Sequence, residues 1–291
     1  MVTQASARVR GADAPTRRRG TIAPPLIGLA LLLTAWEVGL RLADAPNYLT
    51  PKPSDVVAAV GRNWNVLLEA FARTAIASVA GFTLATLFGI GGALLLSFSR
   101  TLERMLFPYA VVVQTVPTVS IAPLLVIWIG PGMRASIAVS LILGFFAIFS
   151  NSLVGLNSIE PDRANLLKLY GASKWKVIRK LRFPGALPYV MAGLRISAGL
   201  SVIGTIVGEF VAGVGGGEGG LGFVVQLAGK RLDTPYLVGA ALAAGTLGVS
   251  FYLIVRQASK RLLSWHESAI PQEGAPGRGR GRVPSGSGSP V

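Results

Sequence analysis

The sequence predicts an all-α, polytopic membrane protein with six membrane-spanning helices. Three observations carry that prediction. Hydrophobic residues make up 51% of the 291-residue chain and charged residues 14%, where a soluble domain carries about 25% charged residues. The mean hydropathy is +0.56. The apolar residues are also gathered into blocks rather than spread, and each block reaches the length of about 20 residues that crosses roughly 30 Å of hydrocarbon as a helix.

The blocks are Ile22–Leu40, Ala75–Phe98, Leu106–Ile129, Ala135–Leu156, Leu187–Val214 and Tyr236–Val255. The first ends near Ala43-Asp44-Ala45, which resembles a leader cleavage site. Its apolar stretch exceeds the 7–15 residues of a leader core, and proline follows the cut, so it is read as a retained span. Glu37 lies near its end, where a charge can snorkel to the interface. Between the first two spans, Ser54 is a plausible N-cap. The spacing of Val56, Val57, Val60, Trp64, Leu67 and Leu68 then suggests an amphipathic helix, lying in the interface or packed on the bundle.

The second, third, fourth and sixth spans contain no Asp, Glu, Lys or Arg. Each such charge at mid-membrane costs about 2.5–3.5 kcal/mol, so runs this clean mark lipid-embedded helices. Gly89, Gly91, Gly92 and Gly199 leave room for close helix contact in lipid. The third span gathers Gln114, Thr115, Pro117, Thr118, Ser120 and Pro123. Polar side chains and two prolines at lipid depth need neighbours or water for the backbone groups they free. Either a pathway lining or a packed proline kink meets that need. In the fifth span, Arg195 and Glu209 are intramembrane charges, which mark function by default. Fourteen residues at 1.5 Å per residue put them roughly 21 Å apart. Each therefore needs a partner on another helix or a route to an interface.

The formal charge is +15, and its placement explains it. With the N-terminus inside, twenty Lys and Arg fall in inside segments and six, Arg41, Lys52, Arg62, Arg134, Lys230 and Arg231, fall outside. This bias places both termini in the cytoplasm and removes the nucleic-acid reading of a basic chain. The tails, 1–20 and 266–291, have the composition of disordered segments, leaving 21–265 as the membrane domain. There are no cysteines and one histidine, His266, so no disulfide framework, thiolate site, histidine cluster or metal site is expected. No catalytic residue and no cofactor is expected either. Gly215-Gly216-Gly217-Glu218-Gly219-Gly220 satisfies a dinucleotide fingerprint literally, but it follows a membrane helix and opens no strand–helix unit.

The inside loop 157–186 is patterned. Pro161 and Asp162 suit a helix start, Leu166, Leu167 and Tyr170 share a face, and Gly171 suits a left-handed terminator. Ser173 can cap a second, basic helix from Lys174 to Arg182, which Pro184 and Pro188 are expected to break before the fifth span. The hairpin is either an interfacial element held to anionic lipid or a docking element for a cytoplasmic partner.

This loop resembles the motif of binding-protein-dependent ABC importer permeases: Glu-Ala-Ala, three residues, Gly, nine residues, Ile-x-Leu-Pro. Anchored on Gly171, the terminal positions fall on Leu181-Arg182-Phe183-Pro184, and the first three fall on Asn165, Leu166 and Leu167. The acidic residue and both alanines are absent. Leu49-Thr50-Pro51-Lys52-Pro53, Arg73, Gly81-Phe82, Pro117, Pro123, Phe183-Pro184-Gly185-Ala186-Leu187-Pro188, Gly193-Leu194-Arg195-Ile196 and Gly220-Leu221-Gly222 look like the taurine, sulfonate and nitrate subgroup. The likeness covers about Ile22 to Trp265. It implies a bacterial inner-membrane homodimer of permeases with two cytoplasmic ATPase subunits and an external substrate-binding protein. It also implies an ABC permease fold whose coupling helix lies between the fourth and fifth helices. Asn165, Leu166, Leu167, Tyr170, Gly171, Ala172, Ser173, Leu181, Phe183 and Pro184 would then meet the ATPase. Gln114, Thr115, Pro117, Thr118, Ser120, Arg195 and Glu209 are the pathway candidates, with Arg195 attracting an anionic solute.

No Gly-x-x-x-x-Gly-Lys-Ser/Thr loop occurs in the chain, so energy from ATP must reach it through a partner. An ion-driven transporter fits less well, because repeated halves and multiple buried acids are missing. No nucleophile–base arrangement lies within the spans to support an intramembrane enzyme.

Overall fold

A computed structural model describes residues 23–43, 46, 49–212 and 219–263. The tails 1–20 and 266–291, His266, Asp44 and Ala45 of the cleavage-like triplet, and Gly215–Glu218 of the glycine loop lie outside the described residues. Among the described residues the structure is helical with no strand. In chain order the helices are α1 (Ala23–Leu42), α2 (Pro53–Arg62), α3 (Trp64–Ser97), α4 (Arg100–Thr115), α5 (Thr118–Ile129), α6 (Met133–Asn157), α7 (Pro161–Leu169), α8 (Lys174–Val177), a π-helical turn (Ile178–Arg182), α9 (Phe183–Ala212), α10 (Leu221–Lys230) and α11 (Thr234–Leu262).

Among the described residues, four helices are long and apolar enough to cross a membrane: α3, α6, the run Lys174–Ala212, and α11. They coincide with the second, fourth, fifth and sixth expected spans. The first span corresponds to α1, which exposes Leu29, Leu31 and Leu32. The third is not one helix. Pro117 has no N–H to donate and drives the residue before it out of the helical region. Val116 accordingly sits at φ −70°, ψ 125° and Pro117 at φ −58°, ψ 117°, dividing the span into α4 and α5.

The expected break at Pro184 and Pro188 is also corrected. Pro188 lies inside α9, and the chain continues from Lys174 to Ala212. The π turn supplies the reason: Phe183 N–H bonds to Ile178 O, five residues back. The widened turn makes room where the ring of Pro184 would otherwise meet the Lys180 carbonyl; Pro188 lies beyond it, inside α9.

The described chain divides into two compact units, residues up to 68 with 224–242, and 69–223 with 243 onward. In the first, Ser54 does not cap its own helix. The N-cap is Lys52, with Pro53 in the first turn. Ser54 instead donates to Glu37, N–H to Oε2 at 3.1 Å and Oγ to Oε1 at 2.8 Å. Glu37 also pairs with Arg41 at 2.7 Å. The carboxylate thus serves the positive N-terminus of α2 rather than simply snorkelling. The expected amphipathic helix stops at Asn63, and Trp64 opens α3.

In the second unit α9 packs along α6 at backbone distance. A methyl at Gly204 would lie 2.8 Å from Ser140 Cα, and one at Gly208 2.6 Å from Ser136 Cα. Ser140 Oγ donates to Ser201 O at 2.8 Å, and Ser78 Oγ of α3 donates to Thr205 Oγ1 at 3.1 Å. Small residues that admit close backbones, bridged by hydroxyls, are the usual adhesive between helices in lipid. Of the four glycines named above, Gly89 and Gly92 meet side chains of α6, whereas Gly91 and Gly199 face open space. The outer faces carry exposed Ile76, Leu87 and Leu95 on α3, and Val249, Leu253 and Ile254 on α11, as a lipid-facing surface should.

Candidate functional site

The loop hairpin is built by local signals. Pro161 and Asp162 occupy the first turn of α7, where a missing N–H costs nothing and an acid meets the helix dipole. α7 ends in a Schellman arrangement: Ala172 N–H bonds to Leu167 O at 3.0 Å, across Gly171 at φ +75°. That left-handed φ is one a glycine adopts without strain. Ser173 then caps α8, its Oγ accepting from Lys176 N–H at 3.3 Å.

The hairpin has two faces. Ala164, Val177 and Ile178 are buried, and Trp175 stacks on Phe98 with centroids 6.0 Å apart. Outward, Leu166, Leu169 and Tyr170 are 57%, 85% and 84% exposed, a contiguous apolar patch without a partner. Gly171 and Ser173 are exposed beside them, with Ala172 half-buried and Leu167 half-buried. Asn165 turns toward the cavity behind the hairpin. Leu181, Phe183 and Pro184 do not join the patch. They are half-buried, and Phe183 packs on the cluster of Ala93, Leu96, Phe149 and Val190. Leu169 is not among Leu166, Leu167 and Tyr170, the face expected above; its spacing three residues after Leu166 was the signal for it.

A second site surrounds the broken third span. A cavity of about 430 Å³ is lined by Gln114 of α4, Thr118 of α5, Phe145, Phe146, Ser150 and Asn151 of α6, and Ile196 and Leu200 of α9, among others. The break at Val116-Pro117 lies between Gln114 and Thr118. Irregular backbone at membrane depth is tolerated where it lines a cavity. Thr115, Pro117 and Ser120 are exposed on the same stretch but do not line the cavity. Ser150 and Asn151 went unremarked in the sequence, although a polar pair inside a charge-free span was the signal for them.

Arg195 and Glu209 are not brought to this cavity. Arg195 Nε donates to Met191 O of its own helix at 3.1 Å. Glu209, 7% exposed, is consumed in a capping knot. Gly222 N–H donates to its Oε2 at 2.9 Å, and the Thr74 hydroxyl lies 2.9 and 3.0 Å from its two oxygens. Leu221 N–H in turn donates to Thr74 Oγ1 at 2.8 Å. Leu221 and Gly222 open α10, so the carboxylate and the hydroxyl satisfy two of its orphan N–H groups. A side chain at Gly220 would collide with both.

A distinct prediction follows for Glu209. Glu209→Ala strands the buried Gly222 N–H at about 1–3 kcal/mol, while Thr74 keeps Ala70 O as an acceptor at 3.1 Å, and it should lower the melting temperature measurably. Glu209→Gln keeps an acceptor for Gly222 and a donor for Thr74, so it should melt and transport like the unchanged chain. Loss of transport by a normally stable Gln variant would return Glu209 to the pathway.

The chain matches the family described as binding-protein-dependent transport system inner membrane component over residues 64–264. It is 32% identical to a probable ABC transporter permease protein of Haemophilus influenzae, over 79% of this chain and 93% of that one. It is 30% identical to the riboflavin transport system permease protein RibX of Chloroflexus aurantiacus, over 83% and 90%. It is 28% identical to the taurine transport system permease protein TauC of Escherichia coli, over 82% and 88%.

Proposed function

The chain belongs to the family of binding-protein-dependent transport system inner membrane components, and on that premise we propose that two copies of it form the solute pathway of an ATP-driven importer. The partners in this reading are two cytoplasmic ATPase subunits and an external substrate-binding protein. Six crossings of the inner membrane are formed by α1, α3, the α4–α5 pair as one broken crossing, α6, α9 and α11. Both termini and the α7–α8 hairpin are cytoplasmic.

The observation that carries the reading is the apolar patch of Leu166, Leu169 and Tyr170, left exposed on a hairpin whose turn is fixed by Gly171 and the Ser173 cap. Its second arm runs into α9 without a break. Val207 and Val211 of α9 pack with Ala122 and Leu125 of α5 and Val139 of α6. Displacement of the hairpin by a closing ATPase pair would therefore travel along α9 to α5, the half-helix beside the cavity. The open face bearing Gln114, Thr115, Pro117 and Ser120 is where the second copy would complete the pathway.

The chain has no cysteine, so a single Tyr170→Cys supplies the test. Paired with a cysteine in the groove of the ATPase, it should crosslink in the assembled complex, whereas a cysteine at lipid-facing Leu87 should not. Absence of any crosslink from the hairpin would remove the coupling role.

The resemblance raises sulfonates, taurine and nitrate as solutes. No charged side chain lines the cavity, which supports a solute without net charge; among these a zwitterion such as taurine fits best. Arg195→Lys is accordingly expected to keep transport within about twofold of the unchanged chain. A loss of tenfold or more would instead assign Arg195 to bidentate contact with an anion.

A further inference from the structure

Behind the hairpin lies a cavity of about 640 Å³, walled by the α3–α4 turn, the C-terminal end of α6 and the inner side of the hairpin. Four cations line it, Arg100 and Arg104 of α4, Lys174 of α8 and Arg182 of the π turn, against one acid, Glu103. That acid is already engaged: Asn157 Nδ2 donates to its Oε1 at 2.9 Å. Arg182 Nη1 donates to Ser97 O at 3.4 Å, which holds its guanidinium at the wall. The general excess of Lys and Arg on one side of a membrane accounts for the number of these charges. It does not account for their convergence, from α4 and from the hairpin arm Lys174–Arg182, on one concavity.

The depth of the cavity narrows the ligand. No ionisable residue occurs between Arg73 and Arg100, nor between Arg134 and Glu160, so the cavity sits where the hydrocarbon stretches of α3 and α6 end. That is the level of lipid phosphates. Phe98 of the cavity wall stacks nearly parallel on Trp175, the two being 40% and 54% exposed, and tryptophan is enriched at headgroup depth. We propose that this cavity binds the phosphate-bearing headgroup of an anionic phospholipid, with the glycerol and upper acyl chain against Phe98 and Trp175. Basic pockets between membrane helices take such headgroups. A bound phosphate would tie α4, which leads into the broken crossing, to the arm of the hairpin that leads into α9. The assignment of the leaflet as cytoplasmic rests on the topology proposed above; the site itself does not.

The test uses the full-length chain, with or without its ATPase bound. Co-purified lipid is quantified, and melting is followed in discs of phosphatidylcholine alone and of phosphatidylcholine with phosphatidylglycerol or cardiolipin. The unchanged chain should retain anionic lipid after delipidation and melt several degrees higher in anionic discs. Arg100→Gln/Arg104→Gln/Lys174→Gln, three exposed side chains, should lose both. Lys176→Gln/Arg179→Gln/Lys180→Gln, which removes equal charge outside the cavity, should keep both. If the cavity triple variant does not fold, Arg104→Gln alone should lower retention severalfold. Equal loss in the two triple variants would reduce the effect to bulk charge and overturn the site. Inorganic phosphate raising the melting temperature as much as lipid would assign a soluble phosphate and overturn the lipid. Normal ATPase coupling with no lipid retention would sink this proposal and leave the importer reading intact.

Discussion

Leu166→Asp/Tyr170→Asp is expected to leave a folded permease that no longer holds its ATPase. Both side chains are exposed, 57% and 84%, so neither change disturbs the packing of the hairpin. A buried apolar side chain of this size contributes about 1.5–3 kcal/mol. Losing two, and asking a carboxylate to desolvate in their place, removes about 3 kcal/mol or more, which is roughly 100-fold in affinity. Co-purification of the ATPase should fall to background while size-exclusion behaviour of the permease stays the same. Gly171→Val should act on the same contact by a different route, because a β-branched residue at φ +75° is strained and the turn must reopen. An unchanged ATPase yield with the double variant would mean that the patch faces something else.

Gly204→Leu is expected to destroy the fold, and Gly199→Leu to leave it alone. The two positions lie five residues apart in α9. At Gly204 the first added carbon meets backbone, 2.8 Å from Ser140 Cα and 3.1 Å from Val139 O, and no rotamer relieves that. Overpacking of this kind typically costs about 1–3 kcal/mol, more where backbones must part. It would also separate the Ser140–Ser201 bond that joins α6 to α9. At Gly199 nothing lies within 4 Å, and exchanging a mid-helix glycine gains up to about 1 kcal/mol of helix propensity. Fluorescence-detected size exclusion and thermal unfolding of the two variants check the contrast. Equal tolerance would show that α6 and α9 are not held at backbone distance.

What could be read from the sequence was what short-range physics decides. Hydrocarbon length located α3, α6, α9 and α11, and charge exclusion sharpened all of these but α9, because those requirements are met within one segment. The hairpin was legible for the same reason: Pro161, Gly171 and Ser173 each act within a turn of their own position. The division at Val116-Pro117 was half-legible. Pro117 and its polar neighbours marked the place, yet the apolar run on both sides read as one span. Features that depend on distant partners were not legible. Glu209 meets Thr74 from 135 residues away, so its place in capping α10 could not be read from its isolation in an apolar helix. Ser54 looked like an N-cap because its true partner, Glu37, lies on another helix. Pro184 looked like a breaker because a π turn is not written in residue type, and Pro188 is carried inside α9.

The most direct test of the permease assignment is ATP hydrolysis by the chain reconstituted in lipid discs with a candidate ATPase and binding protein from the same genome. The account predicts a stable complex whose hydrolysis rises with solute-loaded binding protein and falls to the basal rate with Leu166→Asp/Tyr170→Asp. A chain that forms no complex with such an ATPase, yet moves solute down an ion gradient, would contradict it.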